Sequence, residues 1–144
     1  MPPRRRVRSG KGWGSVLLRR RLKFSRVQGA FAICRLAAKS AVPDWALRGE
    51  FFAVTSTGDE VSIVCPEPQA PSGIRHEGGW ACLKREGPFP FSETGILSSF
   101  LQPLAEHAVP ILAVSTFDTD YVLVKHAWVE RAVAALEEAG HEEL

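Results

Sequence analysis

The chain has 144 residues, 45% of them hydrophobic, which is enough for one ordinary domain or two small half-domains sharing a core. Its net charge of +2 conceals an asymmetry, because residues 1–26 hold eight Arg, two Lys and no acid, whereas residues 27–144 hold eight basic and sixteen acidic residues. After the tail the longest uncharged stretch is residues 94–105, well short of the roughly 20 residues that span a bilayer, so we expect no membrane segment.

The basic stretch, residues 1–26, is biased in composition and lacks a hydrophobic period, so we predict a disordered tail there. The three cysteines, Cys34, Cys65 and Cys82, are widely spaced and contain no Cys-x-x-Cys pair. Each lies in an apolar, strand-like run. These features favour buried, reduced thiols and a cytoplasmic protein.

The first part of the globular region, residues 27–78, is predicted to contain a strand, a short helical turn and two further strands. Pro43 suits the start of the helical turn, and Thr57-Gly58-Asp59 supplies the turn between the last two strands. Along the chain the predicted elements are a strand at 28–36, a helical turn at 43–47, strands at 50–55 and 61–65, and a Pro- and Gly-rich surface linker at 66–79.

The second part, residues 79–144, is predicted as strand, helix, strand, strand, helix. Apolar residues at helical spacing start at Ile96, with Ser92 as the N-cap, and we expect Pro103 to end or bend that helix. Gly140 is placed to stop the second helix. The predicted elements are a strand at 80–85, a helix from residue 96, a hairpin of strands at 111–114 and 121–124, and a helix at 127–139.

This order is a ferredoxin-like βαββαβ unit without its last strand, because residues 141–144 are too few to form a comfortable sheet edge. The first part is a similar but degenerate unit. We therefore predict an α+β fold of two incomplete halves, with a mostly antiparallel sheet and helices packed on one face.

The link between the two hairpin strands concentrates polar chemistry, since Asp118 and Asp120 lie within a few residues of each other. Asp is also a common turn residue, and Gly95 at the helix start could serve packing alone. No His, Cys or metal ligand lies near the two carboxylates in sequence, and the four His show no zinc spacing. We therefore expect no catalytic residue, no metal and no cofactor.

Several runs resemble the tandem ACT-domain proteins of bacteria, which are related to the animal cytosolic arginine sensors of the CASTOR type. They are GPFPFSETGIL at 87–97, QPLAE at 102–106, STFDTDYVLV at 115–124, VPDWA at 42–46 and DEVSIVCPE at 59–67. The resemblance covers residues 27–141. It implies two ACT-like halves, a non-catalytic regulatory function, binding of a free amino acid and a homodimer.

By position, the resemblance places ligand contacts at the start of the helix and in the hairpin link. The helix amides suit a carboxylate and an Asp suits an ammonium group, so one zwitterion could be held between them. The implied ligand-binding residues are Thr94, Gly95, Ile96, Ser115, Thr116, Phe117, Asp118 and Asp120.

Two other functions stay open at this point. The chain could be a ligand-free ACT-like module for dimerisation or interaction. Alternatively, the ten positive charges of residues 1–26 could bind nucleic acid nonspecifically. The acidic globule would repel nucleic acid and no recognition motif is present, so we do not expect nucleic acid as a partner.

Overall fold

The computed structural model describes residues 21–88 and 95–144. The predicted N-cap at Ser92, the predicted contact at Thr94 and residues 1–20 of the predicted tail lie outside these ranges. No helix within the described ranges is long and apolar enough to cross a membrane. The described strands are β1 (Lys23–Ala37), β2 (Ala53–Ser56), β3 (Glu60–Pro66), β4 (His76–Arg85), β5 (Leu112–Ser115), β6 (Asp120–Lys125) and β7 (Glu142–Glu143); the helices are α1 (Ile96–Glu106) and α2 (Val129–Glu138); and 3₁₀ turns lie at Asp44–Leu47, Glu67–Gln69 and His126–Trp128.

The seven strands of the described residues form one sheet in the order β2-β3-β1-β4-β6-β5, with β7 added beside the start of β1. All neighbours on this path are antiparallel, whereas β7 runs parallel to β1. The antiparallel sheet with two helices confirms the predicted α+β class.

The predicted division into two incomplete halves is wrong, because the sheet is continuous. Strand β1 is 15 residues long and pairs with β3 from the first part and with β4 from the second. Its register with β4 shifts between Val27 and Phe31, where Gly29 has a φ of +97°. This irregularity interrupts the alternation of buried and exposed residues along β1 without ending the strand. The two parts therefore share one central strand.

Both ends of the globular region also differ from the prediction. Strand β1 begins at Lys23, inside the predicted tail, because Leu22 and Phe24 alternate with polar residues and are buried in the core. The last strand, predicted to be absent, is the two-residue β7. It forms because Glu142 N–H donates to Leu22 O (2.9 Å) and Leu144 N–H donates to Phe24 O (2.8 Å).

Helices α1 and α2 cover one face of the sheet, as predicted. Ile96, Phe100 and Leu104 recur at a spacing of four residues and are buried, so α1 presents one apolar stripe to the sheet. The main core lies between this stripe, α2 and the helix-facing residues of the sheet: Leu22, Phe24, Leu83, Ile96, Phe100, Leu104, Val109, Val122, Val124, Val129, Ala132, Val133, Ala135 and Leu136.

Of the two effects predicted for Pro103, ending the helix does not occur, because α1 continues to Glu106. Proline lacks the N–H that would donate to the carbonyl of Ser99 four residues earlier. The buried imidazole of His141 takes this place, with Nε2 2.9 Å from Ser99 O. On its other side, Nδ1 accepts the N–H of Leu22 at 3.1 Å. His141 therefore joins α1, the start of β1 and the end of the chain.

The opposite face of the sheet carries a smaller cluster built around Phe31, Trp80 and Leu123, and the segment before β2 contributes Phe51 to it. The helix-free face is therefore partly covered by irregular chain.

Cys34 and Cys65 belong to a third cluster, which also contains Ala46 of the first 3₁₀ turn. Strand alternation places this third cluster on the helix side, because Cys34 and Cys65 alternate with Ile33 and Val64 of the second cluster.

Candidate functional site

The predicted hairpin is confirmed, with Ser115 opposite Asp120 and Val114 opposite Tyr121 in the β5–β6 pair. Its turn is closed by Thr116. The Thr116 N–H donates to Thr119 O at 2.8 Å, and the Thr116 hydroxyl accepts the Thr119 N–H at 3.2 Å. This turn fixes the two aspartates in different surroundings.

Asp120 is buried, with 6% of its surface exposed. Its carboxylate pairs with the guanidinium of Arg85, itself only 3% exposed, and accepts the Ser115 hydroxyl at 2.5 Å. The Thr119 hydroxyl donates to Arg85 O, which ties the turn to the end of β4. The Asp120 carboxylate is thus occupied within the protein and holds the hairpin against β4.

Asp118, in contrast, is exposed at the tip of the turn next to Phe117, whose exposed fraction is 79%. Asp118 lines a cavity of about 160 Å³ with Lys84, Gly87, Pro88 and Thr119, which we call the small cavity. Among the described residues, the side chains of Asp118 and Lys84 form neither a hydrogen bond nor an ion pair. The small cavity therefore presents one uncommitted negative and one uncommitted positive group.

The start of α1 lies at the same end of the sheet as the hairpin turn. His141 joins Ser99 of α1 to Leu22, next to the Phe24–Arg85 pair, and Arg85 in turn pairs with Asp120 at the start of β6. Gly95 has a φ of +77° and its carbonyl accepts the Ser99 N–H at 2.9 Å. The Ile96 side chain packs in the core, so only its backbone is free to serve a ligand. The ligand contacts predicted for Gly95, Ile96 and the hairpin residues stay predictions.

Sequence reasoning missed Arg85 and Lys84. The signal for Arg85 was present, since Leu83 and Arg85 fall on the same face of a strand and the predicted core therefore contained a charge needing a partner. The side chain of Lys84 projects from the other face, next to Tyr121 across the β4–β6 pair.

The three thiols are buried and free, as predicted. Burial raises the pKa of Cys34 and brings that of Cys65 and of Cys82 to about 12. Such thiols act as small apolar core groups, since nucleophilic attack requires the thiolate. The described residues contain no group of three or more His, Cys, Asp or Glu placed to hold a metal ion.

The antiparallel sheet with two helices on one face is an ACT-like fold. The family profile of the ACT domain matches residues 75–138, and a second profile, described as an N-terminal domain, matches residues 29–73. No curated protein matches the chain.

The chain is 42% identical to protein Atu0741 of Agrobacterium tumefaciens. That solved structure superposes with a TM-score of 0.83, and the match covers 87% of this chain and 93% of the other. The chain therefore belongs to the same family as Atu0741.

More distant structures share the fold. Protein VC0802 of Vibrio cholerae, titled a possible transport protein of unknown function, is 17% identical with a TM-score of 0.68, covering 86% of this chain and 92% of that one. The regulatory subunit of aspartate kinase from Thermus thermophilus is 13% identical with a TM-score of 0.52, covering 78% and 98%. The Clostridium acetobutylicum aspartate kinase is 16% identical with a TM-score of 0.60, and the match covers 81% of this chain but only 34% of the kinase.

Proposed function

We propose that this protein is a non-catalytic regulatory protein that binds a free amino acid in the small cavity. The observation that carries the proposal is that Asp118 and Lys84 line the same cavity, and that neither side chain forms a hydrogen bond or an ion pair in the described part of the chain. A free amino acid carries the complementary pair of charges. Asp118 would bind the ammonium group and Lys84 the carboxylate, both through charge-assisted hydrogen bonds.

The proposal assigns different tasks to the two aspartates. Asp120 is buried against Arg85 and Ser115, so it supports the hairpin, and Asp118 is the carboxylate open to a ligand. The first N–H groups of α1, at Gly95 and Ile96, are a further source of donors, because the first turn of a helix has no carbonyl partners of its own.

The size of the small cavity favours a small amino acid. Its volume of about 160 Å³ corresponds to roughly five water molecules at about 30 Å³ each. It lies below the roughly 300–1,000 Å³ usual for drug-sized ligands. We therefore expect glycine, alanine, serine or another short side chain to bind more tightly than large ones.

The regulatory part of the proposal rests on the ACT class and on the aspartate kinase regulatory subunit that shares the fold. We propose a cytoplasmic homodimer in which ligand binding shifts the population of states that a partner recognises. Such coupling requires a ligand affinity that differs between the two states. The cavity supplies opposite charges for such binding.

The test is a thermal-shift screen of the twenty amino acids with the wild-type chain and Asp118→Asn. A ligand that binds the native state raises the midpoint temperature of unfolding as the ligand concentration passes its dissociation constant. We expect a response to at least one small amino acid that Asp118→Asn abolishes. A response retained by that variant, or none to any amino acid, would refute the proposal.

The chain offers a closely matched control in the β2–β3 turn. There Thr57 N–H donates to Glu60 O at 2.9 Å, and the Thr57 hydroxyl accepts the Glu60 N–H at 3.2 Å. Asp59 occupies the position that Asp118 has in the other turn. Asp59→Asn therefore removes the same charge from the same kind of turn, and its amino-acid response should equal that of the wild type.

A further inference from the structure

A second cavity, of about 380 Å³, lies on the sheet face away from the helices. Leu83 and Val122 belong to the helix-side core, so their strand neighbours Lys84 and Tyr121 project from the opposite face. We call this space the aromatic cavity; its lining includes Val27, Glu50, Phe51, Lys84 and Tyr121. Its volume falls within the range of ordinary ligand pockets.

The floor of the aromatic cavity is a row of side chains across three strands. Ser25 is opposite Lys84 in the β1–β4 pair, and Lys84 is opposite Tyr121 in the β4–β6 pair. Directly opposed side chains on one sheet face lie within contact distance. The row therefore places an ammonium group beside a phenol ring.

The aromatic wall is ordered by a stacking contact. The rings of Phe51 and Tyr121 lie 4.4 Å apart at an interplanar angle of 29°. Phe51 comes from the segment before β2 and is 7% exposed, whereas Tyr121 is half-buried. Val27 completes an apolar surface on which a further ring could pack.

The charges around the aromatic cavity favour a ligand with one negative group. Arg26 is held by Glu130 at 3.0 Å and by Glu143 at 2.7 Å, and the Ser25 hydroxyl donates to Glu86. Within the described chain, Lys84 has neither a hydrogen bond nor an ion pair for its side chain. Glu50 also lines the cavity and would disfavour a polyanion such as a nucleotide.

We propose that the aromatic cavity binds a small monocarboxylate bearing one aromatic ring. The carboxylate accepts hydrogen bonds from the ammonium of Lys84 and from the hydroxyl of Tyr121, and the ring packs on Phe51, Tyr121 and Val27. This site goes beyond the proposed amino-acid site. Its ligand needs no ammonium group and lies on the helix-free face, although Lys84 lines both cavities.

The test is a ¹H–¹⁵N NMR titration of the full chain with 3-phenylpropionate. We expect saturable shifts at the amides of β1, β4 and β6 around Ser25, Lys84 and Tyr121. The neutral 3-phenylpropionamide and acetate, which lack the charge and the ring respectively, should each bind at least about tenfold more weakly. This comparison uses the wild-type chain alone. Equal affinity for the acid and its amide, shifts elsewhere, or no saturable shift would overturn the proposal.

Variants give a second arm to the test. Lys84→Gln and Tyr121→Leu should each weaken 3-phenylpropionate binding by about tenfold or more, with the dispersion of the spectrum confirming that each variant is folded. Lys39→Gln removes the same charge beyond the other end of β1 and should bind as the wild type does. Unchanged binding by both Lys84→Gln and Tyr121→Leu would overturn the proposal.

The two proposals can fail separately. Asp118→Asn should abolish the amino-acid response and leave 3-phenylpropionate binding intact, because Asp118 does not line the aromatic cavity. Tyr121→Leu should have the opposite effect. Loss of both ligands in both variants would contradict the separation into two sites.

Discussion

The link formed by His141 gives a prediction whose magnitude follows from the contacts. His141→Ala leaves two buried backbone groups without their imidazole partner, the N–H of Leu22 and the carbonyl of Ser99. An unsatisfied buried polar group costs about 1–3 kcal/mol. The imidazole also packs against Phe100, with ring centroids 5.6 Å apart. We expect the free energy of unfolding to fall by about 3–5 kcal/mol.

A double-mutant cycle with Pro103→Ala isolates the contact between His141 and the carbonyl of Ser99. An alanine at position 103 restores the helix N–H that donates to Ser99 O, so removing His141 then leaves only the Leu22 N–H unsatisfied. The loss caused by His141→Ala should be smaller by about 1 kcal/mol or more in the Pro103→Ala background. Urea denaturation of the four proteins at neutral pH measures each term.

Two results would refute this account of His141. One is a loss below about 1 kcal/mol for His141→Ala, which would mean that the buried groups find other partners at little cost. The other is an identical loss in both backgrounds, which would show that His141 does not replace the donor that Pro103 lacks.

Three further predictions concern ionisable groups. Burial lowers the pKa of His141, so as the pH falls the unfolded chain binds a proton before the folded chain does. The stability present above about pH 6.5 should therefore decline as the pH falls below that value. Urea unfolding midpoints between about pH 7.5 and 5.5 should show this decline in the wild type and a smaller one in His141→Asn. Asp120→Ala should lower the free energy of unfolding by at least about 2 kcal/mol because it removes the carboxylate that pairs with the buried Arg85. Asp118→Ala should change it by less than about 0.5 kcal/mol, and equal effects in urea titrations would contradict the different roles of the two aspartates. With a pKa of about 12, Cys82 should react with iodoacetamide at pH 8 more than about a thousandfold more slowly in the native chain than in urea. Mass spectrometry follows the labelling, and rapid labelling of Cys82 in the native chain would contradict its burial.

Local patterns predicted most of the elements. The four-residue spacing of Ile96, Phe100 and Leu104 predicted α1 and its buried face, and two apolar, β-branched runs around an Asp-containing link predicted the β5–β6 hairpin. Such signals depend on a few neighbouring residues. They therefore remain readable without knowledge of the tertiary structure.

The features that were missed depend on partners distant in sequence. The first residues of β1, Lys23 and Phe24, pair with β7, more than a hundred residues away. Helix α1 continues past Pro103 because His141 lies beside Ser99. No local pattern contains either contact, so local signals favour a tail boundary at residue 26 and an end or a bend of the helix at Pro103.

The sequence places both aspartates in one hairpin link but does not distinguish their surroundings. In the structure Asp120 is buried against Arg85 and Ser115, whereas Asp118 is exposed and lines the small cavity. Strand alternation puts Arg85 on the same helix-facing side as Leu83, where a buried guanidinium requires an anion as its partner. Lys84, on the other face, had no such signal.

The central claim is that Asp118 binds the ammonium group of a free amino acid. Isothermal titration calorimetry with the amino acid that gives the largest thermal shift tests it most directly, using the wild type, Asp118→Asn and the matched Asp59→Asn. The account predicts that Asp118→Asn weakens binding by about 10- to 100-fold while Asp59→Asn leaves the dissociation constant unchanged. Equal affinity for the wild type and Asp118→Asn would contradict it.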